Sequence, residues 1–450
     1  MGLISGDTGP KAVLRRECPS AFAEAVDLCE VRGLFGVERC QSLAILDGNV
    51  LLRGLPQGIE SYQETVSFVG WKVVDALRAA MHVVVVFDDA AHVTRAKAAE
   101  QAKRDAAAKR RVPICSDDLQ PFVCPEDDNY GLDELHHPLF SARHLVANLR
   151  PARPRFFDAV AQGILGMVTG IVQEEFSLAF DGIDSRGAAR PVGEKRVGGV
   201  LATDDVWRGI LERTVPIGEG DLKFTHVCQS VRDAIEVGVA GSLANVMVYM
   251  LQTVDTDSLL IETLEQSRRK VRVAESGLQE HVVLCMTERG RKRKGDDHVT
   301  PAHILACDIG LMYESLTQRM YGTVRLDEAT AKRVPEAFML LTAAWCLSGT
   351  DYCRLQGVRA DMALETVAKM VKQQDGTDGI AHLLSPTSEG ALLAGPTIER
   401  FIRQYLESIE SNKRLSRNAQ FYTQEHIRKA VFNASYWLGV EHKDVEMFGY

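Results

Sequence analysis

The chain has 450 residues, enough to bury one large core or two modest ones. Apolar content of 46% and charged content of 25% mark a globular chain and exclude a disordered or collagenous one. A net charge of −9 excludes a uniformly basic nucleic-acid coat, and no apolar run approaches the length of a membrane span. The start, MGLISGDTGPKAVLRREC, lacks the apolar stretch of a secretory signal, and Gly6 breaks the myristoylation pattern. The ten cysteines are scattered with no CxxC pair, so reduced thiols in an intracellular compartment are expected. Cys115, Cys124, His136 and His137 are zinc-type ligands at a spacing that matches no familiar site; the alternative to zinc is ordinary loop residues.

In chain order, SLAILD (42–47) and HVVVVFD (82–88) are short, continuous and β-branched, which predicts buried parallel strands. Between them, 58–80 repeats apolar residues three and four apart, a crossover helix. Residues 95–111 are Ala-rich and basic with little apolar face, a helix for solvent or for a polyanion. Residues 112–150 read as irregular, 155–178 as helix, and the Gly- and Arg-rich 181–203 as loop. A helix is expected at 222–238, strands at 245–255 and 281–286, and a charged loop at 288–298. A buried helix follows at 334–348, and 359–450 is mostly helical. Alternating strands and helices predict an α/β fold with a mainly parallel sheet flanked by helices. In such sheets ligands sit outside the carboxyl ends of the strands.

Acidic residues recur along the chain, and Asp47, Asp88, Asp255 and Asp257 fall at those ends. They come in clusters: Asp47 in SLAILDGNV, Asp88 in VVVVFDD, Glu219 and Asp221 in GEGDLK, Asp255 and Asp257 in VDTD, and Asp351 in SGTDYC. Carboxylates gathered at one edge repel one another unless divalent cations neutralise them, which points to phosphate chemistry. Each acid also has a plainer reading. Asp47 or Asp88 could cap a following helix. Glu219 or Asp221 could be solvated loop residues.

Taken in order, ILDGN, VFDD, GEGD, DTD and GTDYC resemble the motif series of the flap endonuclease/XPG family of 5′-nucleases and of the related 5′→3′ exoribonucleases of the Xrn kind. KAAEQAKR (97–104) resembles that family's arch helix, GEGDLK resembles the exoribonuclease branch, and MGL resembles the family's MGI start. The resemblance implies a PIN-like nuclease domain with helical insertions. Its halves would be 1–111, ending in the basic arch helix, and 206–375. An insertion or cap would occupy 112–205; residues 376–450 lie beyond the resemblance and are expected from their own pattern to form a helical extension. It further implies two Mg²⁺ or Mn²⁺ ions, the first held by Asp47, Asp88, Glu219 and Asp221, the second by Asp221, Asp255, Asp257 and Asp351. Lys97 and Arg104 would steer the scissile phosphate. Gly2, Lys103, Gly357 and Arg359 would lie against nucleic acid.

The chain departs from the family at three places. Asp221 is one methylene shorter than the glutamate the family puts at the bridge. Asp89 replaces a glycine after the second acid. LQGVRA (355–360) keeps Gly357 but has Arg359 and Ala360 where the family's duplex-binding turn has Gly and Pro, which puts K⁺ binding near Gly357 in doubt. The expected activity is hydrolysis of DNA at a 5′ end, flap or junction, with RNA cleavage or junction scaffolding as alternatives. SRRKVR (267–272) and RGRKRK (289–294) are read either as phosphate contacts or as solvated charge runs. RGRKRK also fits a nuclear import signal. No sliding-clamp motif is seen, and no membrane partner is expected.

Overall fold

The computed structural model describes residues 9–56, 62–87, 153–181, 192–196, 199–200, 204–214, 220–254, 256–273, 280–288, 302–348, 360–372 and 405. Two compact units divide the chain. The first comprises Glu24–Val254 with Glu280–Leu305, the second Met1–Ala23, Asp255–Gln279 and Ala306–Tyr450.

The described strands are β1 (Phe22–Ala25), β2 (Ser42–Asp47), β3 (His82–Val86), β4 (Phe176–Phe180), β5 (Val192–Arg196), β6 (Gly199–Val200), β7 (Val248–Thr253), β8 (His281–Glu288) and β9 (His303–Asp308). The described helices are α1 (Pro10–Glu17), α2 (Leu28–Leu34), α3 (Gly48–Arg53), α4 (Tyr62–Ala79), α5 (Arg153–Ile171), α6 (Asp204–Glu212), α7 (Gly220–Glu236), α8 (Asp257–Val273), α9 (Ile309–Tyr321), α10 (Glu328–Ala331), α11 (Val334–Ser348) and α12 (Ala360–Lys372).

The first unit is α/β. Its sheet runs β8-β7-β2-β3-β4-β5-β6, and β9 and β1, in which the chain passes between the units, continue the order beyond β8. From β8 to β4 the pairings are parallel; β5 and β6 add an antiparallel edge. Every residue of β2, β3 and β4 is buried. That explains their unbroken apolar runs: strands covered on both faces have no polar face to alternate with.

The chain winds from β2 to β3 to β4, then returns to place β7 on the other side of β2. Parallel crossovers are right-handed, so reversing the direction of travel puts α7 on the face opposite α4. The reversal falls between β2 and β7, a switch point of the kind at whose carboxyl ends open α/β sheets bind ligands. On one face α4 packs on α5, close enough that a side chain at Gly70 would strike the Met167 sulfur.

The strands expected at 42–47, 82–88, 245–255 and 281–286, and the helices expected at 58–80, 222–238 and 334–348, are present with shifted ends. Two readings need correction. The helix expected to run to 178 stops at Ile171, and FSLAF forms β4. All five of its residues are buried, and a strand buried on both faces carries no periodicity to separate it from a helix. The expected loop 181–203 contains β5 and β6, whose Gly and charged residues carry no apolar alternation to announce a strand.

The second unit is helical in its described part. In it α8 packs on α9 and α11, and α11 on α12. The Trp345 indole donates to the Ala360 carbonyl at 3.1 Å, and Tyr313 stacks on Phe338 at 5.1 Å. Among the described residues no helix is long and apolar enough to cross a membrane.

Candidate functional site at the carboxyl edge of the sheet

Strand β2 is the central strand, and its last residue is Asp47. The Asp47 side chain is 6% exposed, and its Oδ1 accepts the Asn49 and Val50 amides at 2.9 and 3.0 Å. It therefore caps α3, as the plainer reading of the sequence expected. Gly48 follows because the Phe87 ring leaves no room for a β-carbon there. Phe87 stacks on Phe157 at 4.6 Å, so an aromatic pair wedges the end of β3 against the end of β2. Val86 stands opposite Asp47 in the parallel register, and Asp88 lies two residues further along the chain.

Helix α7 opens on the GEGDLK motif and packs on β2, β3 and β7. Asp221 is in its first turn. Lys223, also in that turn, is 1% exposed and points inward. Its Nζ donates to the Phe87 carbonyl at 2.7 Å and forms an ion pair with Asp181, the residue after β4, which is fully buried. The Thr214 hydroxyl lies within hydrogen-bond reach of the other Asp181 oxygen. One buried cluster thus ties the first turn of α7 to the ends of β3 and β4. The sequence reading missed both charged partners. A signal existed: SLAFDG (177–182) nearly repeats SLAILDG (42–48).

Of the seven expected metal ligands, Asp47 and Asp257 have described side chains. Asp257 is the first residue of α8, in the second unit, and is buried. Asp221 has a described backbone only. Asp88, Glu219, Asp255 and Asp351 lie outside the described residues, as do Gly2, Lys97, Lys103, Arg104, Gly357 and Arg359. Asp89, the Cys115/Cys124/His136/His137 set and RGRKRK lie outside them too. Among the described residues no group of three or more His, Cys, Asp or Glu side chains gathers to hold a metal.

Two observations temper the sequence signals. Aspartates cap other helices of this chain: Asp308, at the end of β9, accepts the Leu311 amide at the start of α9, and Asp27, two residues beyond β1, accepts the Glu30 amide at the start of α2. The SRRKVR run is not simply a solvated face. Arg269 is 8% exposed and bonds Gln266, while Arg268 reaches Glu265 and the Met339 sulfur.

The donor types suit a hard divalent cation. The expected ligands are all carboxylate oxygens, the preference of Mg²⁺ and Mn²⁺. Asp181, already neutralised by Lys223, is not part of that set. Thiols supply no rival nucleophile among the groups with displaced pKa values. Cys18 is pushed up to about 12, by burial first and by the Glu17 charge second, and burial raises Cys285 as well. No protein-family model matches the chain, and no curated protein matches it.

Proposed function

We propose that the protein is a divalent-metal-dependent 5′-nuclease that hydrolyses DNA phosphodiesters at a 5′ end, flap or junction, on a PIN-like version of the α/β fold. The observation that carries the reading is the position of Asp47. It ends the central strand at the point where the sheet reverses its winding, and the GEGDLK helix is bolted to the neighbouring strand end. The five parallel strands, renumbered along the chain, run 5-4-1-2-3, an order shared with dinucleotide-binding sheets. The turn after β2 reads DGNVLLR and lacks the G-x-G-x-x-G that cradles a pyrophosphate, which argues for the nuclease.

On this reading Asp47, Asp88, Glu219 and Asp221, all carried by the first unit, would hold a divalent cation. The chemistry such a metal would supply when bound is activation of water and stabilisation of charge on the attacking and leaving oxygens. Lys97 and Arg104 hold the scissile phosphate by charge-assisted hydrogen bonds and orient it for in-line attack. No side chain is needed as nucleophile. A second reading, an RNA 5′-nuclease, is favoured by one observation: the lysine of GEGDLK, the motif that resembles the exoribonuclease branch, is built into the edge.

Cleavage of labelled 5′-flap, nicked, junction and single-stranded substrates, as DNA and as matched RNA, with Mg²⁺ or Mn²⁺, tests the proposal. Metal-dependent cutting of the DNA set is expected. Cutting of RNA alone selects the second reading. Junction binding without turnover in either metal contradicts both and indicates a scaffold.

A further inference from the structure

Asp47 accepts the Asn49 and Val50 amides, so its carboxylate goes where the first turn of α3 goes. Helix α3 has six residues, too few to hold a conformation by its own hydrogen bonds. Its place is set by what it packs on, which is β2, β3 and α4. At its first residue, Gly48, the contact is the Phe87 ring, so close that a β-carbon does not fit between them. Phe87 is in turn held at two points. Its ring stacks on Phe157 of α5, with centroids 4.6 Å apart and planes 17° from parallel. Its carbonyl accepts from Lys223 Nζ at 2.7 Å, and that ammonium is fixed by its ion pair with Asp181. All of these residues belong to the first unit. Any apolar side chain would serve burial at position 87. A flat ring held on both sides and a missing β-carbon at position 48 are instead matched in shape, and in a close-packed interior a change in one is felt by the other.

We propose that Phe87 is a positioning residue for Asp47: its ring seats Gly48 and so sets where the carboxylate stands at the end of β2. It touches neither substrate nor metal. That Asp47 serves cleavage rests on the nuclease reading; that Phe87 places Asp47 does not.

The test is a cycle of variants in the full chain: Phe87→Leu, Gly48→Ala, and both together. Phe87→Leu opens space beside Gly48, and Gly48→Ala alone strikes the ring. In the double variant the added methyl group enters the space the ring has left. Two readouts are taken: hydrogen exchange of the Asn49 and Val50 amides, and kcat and KM on 5′-flap DNA with Mg²⁺. The Glu30 amide, capped by Asp27 in the same unit, is the internal reference, because a general loss of stability moves it too. Each single variant should speed exchange at Asn49 and Val50 roughly tenfold relative to Glu30. Each should also lower kcat about tenfold or more, with KM within about twofold of wild type. The double variant should recover most of both losses. If a single variant does not fold, Phe157→Leu, which removes only the support behind the ring, replaces it and should move both readouts the same way by a smaller factor. Wild-type exchange in folded Phe87→Leu, or in Phe157→Leu where that stands in, overturns the positioning role. So does a double variant whose losses are the sum of the singles, or one that does not fold when both singles do. Faster exchange with unchanged kcat keeps Phe87's hold on Asp47 and overturns Asp47's part in cleavage. A wild type that cuts no flap DNA overturns the nuclease reading, and the exchange measurements still decide the positioning.

Discussion

The two ends of strand β3 handle buried polar groups in opposite ways. At its amino end His82 is fully buried and kept neutral, its pKa pushed down to about 4 by burial, with the Arg39 charge adding to the shift. Arg39 there stitches backbone together, donating to the Leu77 and Glu175 carbonyls at 2.6 and 2.7 Å. At the carboxyl end the charged groups are paired, as in Lys223 with Asp181, or set to cap a helix, as in Asp47. Helices begin at this edge and present their amide N–H groups to it, which favours carboxylates. The same strand thus separates an end where a neutral group is buried from an end where charged groups are paired or cap a helix.

Three perturbations probe that contrast. The largest effect is expected from Lys223→Met alone, which leaves the Asp181 charge buried without its ammonium; it should cost about 3–5 kcal/mol in urea denaturation. Near-wild-type stability in that variant would mean the carboxyl end does not depend on paired charge. The next concerns pH. His82 has a folded pKa of about 4 against roughly 6.5 unfolded, so between those values the unfolded chain binds more protons. Its contribution is whole above about pH 6.5 and is lost as pH falls towards 4, by up to about 3 kcal/mol. Replacing His82 with Leu should flatten stability across that window; an unchanged slope would assign the acid sensitivity elsewhere. The smallest is Gly48→Ala, which drives a methyl group into the Phe87 ring and should cost about 1–3 kcal/mol by overpacking. Gly310→Ala is the control, since its nearest obstruction is the Asp308 side chain at 3.1 Å.

Much of the edge was legible in the chain, and for stated reasons. SLAILD and HVVVVF announce strands buried on both faces, and their order fixes where Asp47 falls. β4 was not legible, because a fully buried strand directly after a helix offers no change of period and no Gly or Pro between them. Lys223 was harder still. A lysine in the first turn of a helix reads as a solvated residue, and only the tertiary position of Asp181 and of the Phe87 carbonyl turns it inward. A strand-end aspartate is not specific by itself: Asp308 ends β9 and caps α9 much as Asp47 ends β2 and caps α3. What separates them is topology, which a local pattern does not carry.

The most direct test of the account therefore compares Asp47→Asn with Asp308→Asn. Asparagine caps a helix about as well as aspartate, so both variants should fold with near-wild-type melting temperatures. In single-turnover cleavage of 5′-labelled flap DNA with saturating Mg²⁺, Asp308→Asn should match wild type and Asp47→Asn should fall by roughly 100-fold or more, because it exchanges a charged metal ligand for a neutral amide. If Asp47→Asn cleaves as fast as Asp308→Asn, Asp47 is a helix cap and nothing more, and the site is not where the sheet's reversal puts it.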